Sequence, residues 1–292
     1  MMYPHEWFAT LYSEHQNVFK KILLGGSNTS CEDFWRSVSD WPAYKYHSVA
    51  SFSADELKMT VPLALHGDGS PTIGVGKSWA MSTDNWSLTS LLAVGPTLTH
   101  YHTMGIIWCE GQTTQTTEAF LRHLSWSLHW LQQGIWPRLS VDRRPFPPGS
   151  LDAERAGSPL AAGYRGSLLC LFGDLEHYAS KLRLEHYASN QPCIWCRAGR
   201  LGDANMQWTS CRRDSAWWAT VYGTPDEWKR HHFGRCLEVH QLRDVCLSPV
   251  PRQLVHTPAS AHPSQPFNYS GFFKFVFYAR NAGLVTRKAH RV

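Results

Sequence analysis

The sequence predicts a mixed α/β (α+β) fold: a mixed sheet with flanking helices, a small Cys/Trp-rich module behind it and an irregular C-terminal tail. Three observations predict it. Short apolar strand candidates follow one another between residues 61 and 109, a long amphipathic helix comes next, and one further apolar strand returns at 166–172. With 292 residues, 43% of them hydrophobic and 13% aromatic, the chain can bury a sizeable core, which excludes wholesale disorder.

Residues 1–54 read as a helical lead-in. Trp7, Phe8, Leu11 and Tyr12, then Val18, Phe19, Ile22 and Leu23, fall near helical spacing until Gly25-Gly26 stops the pattern. A second stretch carries Phe34, Trp35, Val38 and Trp41 as a docking face before Pro42. Residues 55–190 form the predicted core. Val61–Leu65 is a buried-type strand that emerges into a turn at His66-Gly67-Asp68-Gly69. Thr72–Trp79, Trp86–Val94 and Thr103–Cys109 complete an antiparallel meander, punctuated at Asp84-Asn85 and Gly95-Pro96. Thr116–Trp136 then switches to helical period, with Phe120, Leu124, Leu128, Leu131 and Ile135 on one face and Pro137 beyond the end. A Pro/Gly/Arg-rich loop spans 138–165, Gly166–Phe172 is a strand ending in Gly173-Asp174, and Leu175–Leu184 resumes a helical pattern.

Asp68 and Asp174 share one local setting, each directly after a glycine at the predicted end of an apolar strand. Gly-Asp at such a place is ordinary turn chemistry. Were the two strands neighbours, the same carboxylates could hold Mg²⁺, which is bound through one or two carboxylates and substrate phosphates, and serve an in-line phosphoryl displacement. The order of elements between them, strands, one long helix and a final strand, is that in which an RNase H-like domain presents its first two acids.

Residues 191–246 carry Cys193-Ile194-Trp195-Cys196, half of a tetrahedral zinc site whose other ligands could come from Cys211, His231, His232 or Cys236. Unligated structural cysteines and a redox pair are the alternatives. Trp195, Trp208, Trp217, Trp218 and Trp228 alternate with Arg197, Arg200, Arg212, Arg213, Lys229 and Arg230, as in a base-stacking surface, although packing is the commoner use of tryptophan. A phosphate loop at Gly74–Ser78 is excluded, because Pro71 stands where its first glycine is required.

The net charge of +5 lies in the tail: residues 247–292 hold six basic and no acidic residues, leaving 22 basic against 23 acidic elsewhere. That region is predicted to be poorly ordered, and its charge alone does not indicate DNA binding. No run approaches the roughly 18 apolar residues of a membrane helix, and the first residues lack the features of a signal peptide. An intracellular, soluble protein without a membrane partner is expected.

In four stretches, VPLALHGDGSPTIGVGKSW (61–79), LAAGYRGSLLCLFGDLEHYASKLRLEHY (160–187), QPCIWCRAG (191–199) and DSAWWATV (214–221), the chain resembles transposon-derived proteins of large repeat-rich protist genomes. More distantly, it is similar to cut-and-paste transposases with an RNase H-like core and a Cys-rich insertion after the second acid. The resemblance implies Asp68 and Asp174 as catalytic Mg²⁺ ligands, Cys193 and Cys196 in a zinc module, DNA as partner, a nuclear location, and leaves a homo-oligomer open. It also implies a third acid on a later helix; Glu238 and Asp244 are acidic there, but their surroundings do not match. By the same resemblance the chain is an incomplete or inactive enzyme, with a non-catalytic binding module on the same scaffold as the alternative.

Overall fold

The computed structural model describes residues 1–26, 30–40, 44–74, 81–94, 99–186, 188–191, 193, 196–201, 206–207 and 215–220. Its centre is a four-stranded sheet of β1 (Thr60–Ile73), β2 (Met81–Ser90), β3 (His102–Trp108) and β4 (Arg165–Phe172), in the order β3-β2-β1-β4. β1, β2 and β3 form an antiparallel meander, of three strands among the described residues where four are expected, and β4 returns parallel to β1. Helices α1 (Pro4–Glu14), α2 (Gln16–Leu23), α3 (Ser30–Val38) and α4 (Ala54–Lys58) precede the sheet. α5 (Thr114–Gln133) and α6 (Leu151–Arg155) lie between β3 and β4, and α7 (Leu175–Leu182) follows β4.

Two differences from the sequence reading concern β1 and β2. β1 does not turn at His66–Gly69 but runs on to Ile73, pairing Asp68 with Asn85 and Gly69 with Asp84. Thr72 therefore belongs to the same strand, and Asp84-Asn85 lies within β2 instead of punctuating the meander. Glycine and aspartate favour turns locally, but here ladder hydrogen bonds from a distant segment decide the backbone.

Successive residues of a strand face opposite sides of the sheet, and both sides are covered around the first half of β1, while Ile73, Ile106 and Trp108 are exposed. On one side, Val61, Leu63, Leu65, Trp86, Leu88 and Leu168 share a core with Leu124, Leu128 and Leu131 of α5 and with Phe8, Phe19 and Leu23 of the lead-in. On the other, Leu169 and Leu91 pack on Phe34, Trp35, Val38 and Val49. The indole N–H of Trp35 donates to the Thr60 carbonyl at 2.7 Å, fixing α3 at the start of β1. α5 ends two residues earlier than the pattern through Ile135 suggests, because Gly134 takes the left-handed conformation (φ 70°) and its N–H returns to the last turn. Gly166 allows α5 to sit close on β4: a Cβ there would lie 2.6 Å from Leu63 Cδ1 and 3.1 Å from Leu131 Cδ2.

His5 ties α1 to α5. Its Nδ1 and the Ser127 hydroxyl are 2.7 Å apart in a buried contact, and its backbone N–H donates to the same hydroxyl. Burial, assisted by the Arg155 charge, lowers the His5 pKa to about 3. The unfolded chain, with an ordinary histidine pKa near 6.5, binds the extra proton first, so His5 contributes stability that is complete above that pH and is lost progressively below it. Stability in urea is expected to fall by about 1–2 kcal/mol between pH 6.5 and 5 from this residue, and a His5→Gln variant should show a correspondingly flatter profile over that interval.

Candidate functional site

The parallel register of β1 and β4 sets His66 opposite Phe172. Beyond that pair the strands stay adjacent: a Cβ on Gly173 would lie only 3.0 Å from the Gly67 carbonyl oxygen. Asp68 and Asp174, each the next residue, therefore come level at the same edge of the sheet. Asp68 is half-buried within β1, not at a strand end as expected, and Asp174 is exposed just past the end of β4. The Asp174 carboxylate accepts the His177 backbone N–H at 2.6 Å through Oδ1, which caps the first turn of α7.

His177 packs beside this edge, over Gly67. Its ring sits against β1 where only glycine leaves room, since a Cβ on Gly67 would fall 2.2 Å from Nε2. It meets the Trp86 ring edge-on, with centroids 4.8 Å apart. Burial lowers its pKa to about 4, against the pull of Asp84, Asp174 and Asp68, all within electrostatic reach of the imidazole. The ring is therefore neutral at pH 7, and Nε2 is buried without a hydrogen-bond partner among the described residues.

A charged network backs this edge. Lys181 of α7 meets Asp84 of β2 at 2.5 Å, with the Asp84 side chain 3% exposed and that of Lys181 18%. Gln112 donates to Asp84 Oδ2 at 2.5 Å and accepts from Lys181 at 2.9 Å, while the Cys109 thiol lies 3.4 Å from Asp84 Oδ1. Burial is the main cause that pushes the Cys109 thiol pKa up, so it stays protonated. The network attaches α7, and with it Asp174 and His177, to the middle of the sheet. Sequence reasoning missed His177, Asp84, Lys181 and Gln112. The only local signal was a carboxylate in an otherwise strand-compatible run, and it read as a turn.

Cys193 and Cys196 lie together: a hydrogen bond from Cys193 and burial both push the Cys196 thiol far up, and the Ala198 N–H donates to Cys196 Sγ at 3.4 Å. Two sulfurs could serve as soft ligands for zinc. Among the described residues no group of three or more His, Cys, Asp or Glu is placed to hold a metal. The other proposed zinc ligands, Cys211, His231, His232 and Cys236, lie outside the described residues, as do Glu238, Asp244 and the whole tail. The same holds for Trp195, Trp208 and Trp228 of the Trp/Arg-rich segment. No helix among the described residues is long and apolar enough to cross a membrane.

Compared with protein-family models, with curated proteins and with solved structures, the chain matches none. Fold and site define a mixed α+β domain in which Asp68, within β1, and Asp174, just past the end of the parallel neighbour β4, come level along the backbone.

Proposed function

We propose that the chain is a DNA-processing domain of transposase type on an RNase H-like scaffold, in which Asp68 and Asp174 hold Mg²⁺ for phosphodiester hydrolysis and strand transfer. The observation that carries this reading is the register that sets Gly67-Asp68 beside Gly173-Asp174. The sheet order, with three antiparallel strands and a parallel fourth beside the first, supports the scaffold. The donor set suits the ion: carboxylate oxygens are the hard ligands Mg²⁺ takes, and a substrate phosphate supplies others. When bound, the metal would activate the attacking oxygen and neutralise charge on the leaving one. Asp68, half-buried in a strand, is the rigid ligand. Asp174 gives one oxygen, Oδ1, to the α7 cap, and Oδ2 would be the oxygen to meet the metal. His177, neutral at pH 7, adds no positive charge beside the two carboxylates. Cys193 and Cys196 would supply two of four ligands to a structural zinc, and a nuclear location follows if the substrate is DNA.

The cap on α7 also favours the second reading, a non-catalytic DNA- or protein-binding module, because it gives Asp174 a structural duty sufficient in itself. A nicking assay on supercoiled DNA separates the two. Weak Mg²⁺-dependent nicking is expected from the full chain, in keeping with an incomplete enzyme, and it should be lost in Asp68→Asn with DNA binding retained. Equal nicking by the variant, or none by the parent chain, overturns the catalytic reading. DNA retention without nicking leaves the binding module.

A further inference from the structure

The start of α1, the middle of α5, the loop 137–150 and α6 line an open cavity of ≈ 200 Å³. This is below the roughly 300–1,000 Å³ of sites for drug-sized ligands, so it suits a headgroup or one side chain, not a whole nucleotide. Its lining includes the rings of Tyr3, His5, Trp126 and Phe146 and the charged groups of Glu6, Asp152 and Arg155.

Ring geometry restricts the occupant. Tyr3 and Trp126 meet at 74° with centroids 5.2 Å apart, and His5 and Trp126 at 88° over the same distance, while Tyr3 and His5 are tilted by 30° with centroids 5.7 Å apart, too close for a third ring between them. A flat heteroaromatic needs two parallel faces to lie between, whereas walls near a right angle form the corner of a box and suit a compact, rounded group. Aromatic faces carry negative quadrupole density, and a rounded cation gains from several of them at once.

Charge points the same way. Arg155 contacts Asp152 at 2.6 Å and Glu6 at 3.5 Å while its guanidinium stacks on Trp136, 3.8 Å from the ring centroid. One resident cation thus faces two carboxylates, both half-exposed at 45% and 47%, and one negative charge is left over. Apart from Arg155, none of the described residues lining the cavity carries a positive charge. His5 is held neutral by burial, with Nδ1 engaged by Ser127, and Tyr3 keeps its phenolic proton because burial and Glu6 raise its pKa.

We propose that this cavity binds a quaternary or methylated ammonium group, caged by Tyr3, Trp126 and Phe146 and balanced by the surplus carboxylate charge of Glu6 and Asp152. The inference is independent of the phosphodiester reading. A methylated ammonium can belong to a free small molecule or to a trimethylated lysine of a peptide, and the two sources share this chemistry.

Calorimetric titration of the full chain tests the assignment, with four probes: choline, 3,3-dimethylbutanol as its neutral isostere, and a lysine peptide with and without trimethylation. Saturable binding of choline or the trimethylated peptide is expected, at least roughly tenfold tighter than the alcohol or the unmodified peptide respectively. Phe146→Ala, on a loop, and Glu6→Gln, at the half-exposed mouth, should each weaken it severalfold while leaving the circular dichroism spectrum unchanged. Preference for the peptide assigns the source to a modified protein, and preference for choline assigns it to a small molecule. Equal affinity for choline and the alcohol, no binding of either methylated probe up to roughly 10 mM, or binding indifferent to both substitutions overturns the proposal.

Discussion

Replacing Lys181 by methionine is expected to destabilise the fold by about 3 kcal/mol. The reason is asymmetric. Lys181 is the one cation in contact with a nearly inaccessible Asp84 carboxylate, among the described residues, and methionine removes that charge while keeping most of the aliphatic stem. The Asp84 carboxylate would retain the Gln112 amide and the Cys109 thiol, neutral donors that cannot balance a buried anion. Removing both charges should be milder: Asp84→Asn combined with Lys181→Met is expected to recover more than half of the loss, because the pair has offset its own desolvation only by facing each other. Urea unfolding of the two single variants and the double variant measures the coupling directly. A Lys181→Met cost under about 1 kcal/mol, or simple additivity of the pair, would show that the ion pair is solvated and does not hold α7.

What could be read from the sequence follows a physical division. Elements defined by their own period were legible: α5 from Phe120, Leu124, Leu128 and Leu131, β3 and β4 from their apolar runs, and the docking face of α3 from Phe34, Trp35 and Val38. Elements decided by partners far along the chain were not. Residues His66–Gly69 read as a turn because Gly and Asp prefer turns, yet β2 supplies a ladder that carries β1 straight through. Asp84 read as punctuation because an acidic residue does not normally occupy a covered strand, and the lysine that permits it belongs to a helix beyond β4. Of the candidate site, the carboxylates Asp68 and Asp174 and the sulfurs of Cys193 and Cys196 were legible as residues. Their surroundings were not. The role of His177 depends on a missing side chain at position 67, and no window of sequence containing one residue contains the other. The lead-in gives a related case: its apolar stripes announced helices, but only packing shows that Phe8, Phe19 and Leu23 complete the core beneath the sheet.

Position 67 therefore supplies the sharpest test of the site's construction. Gly67→Ala adds one methyl group, to a strand residue whose backbone needs no unusual conformation, so the cost comes from space alone. That methyl would lie 2.2 Å from His177 Nε2 and 2.9 Å from both adjoining ring carbons, well inside contact distance. The imidazole cannot yield easily, being held by Trp86 on one side and by its own backbone bond to Asp174 at the start of α7. Relief requires α7 to move away from β1, and the expected loss is about 2–3 kcal/mol. It should be accompanied by a change in the near-ultraviolet circular dichroism of the Trp86 environment. His177→Ala alone opens a cavity and removes the stacked ring, with a cost of similar order. The double variant is the decisive member of the cycle: with the ring gone the new methyl group has room, so Gly67→Ala should cost less than about 1 kcal/mol in the His177→Ala background. Strong coupling of that sign would demonstrate in solution that β1 and α7 meet at these two residues, which fixes the helix capped by Asp174 against the strand that carries Asp68. Additive losses would mean that the histidine lies elsewhere and that α7 is not seated on β1 at Gly67.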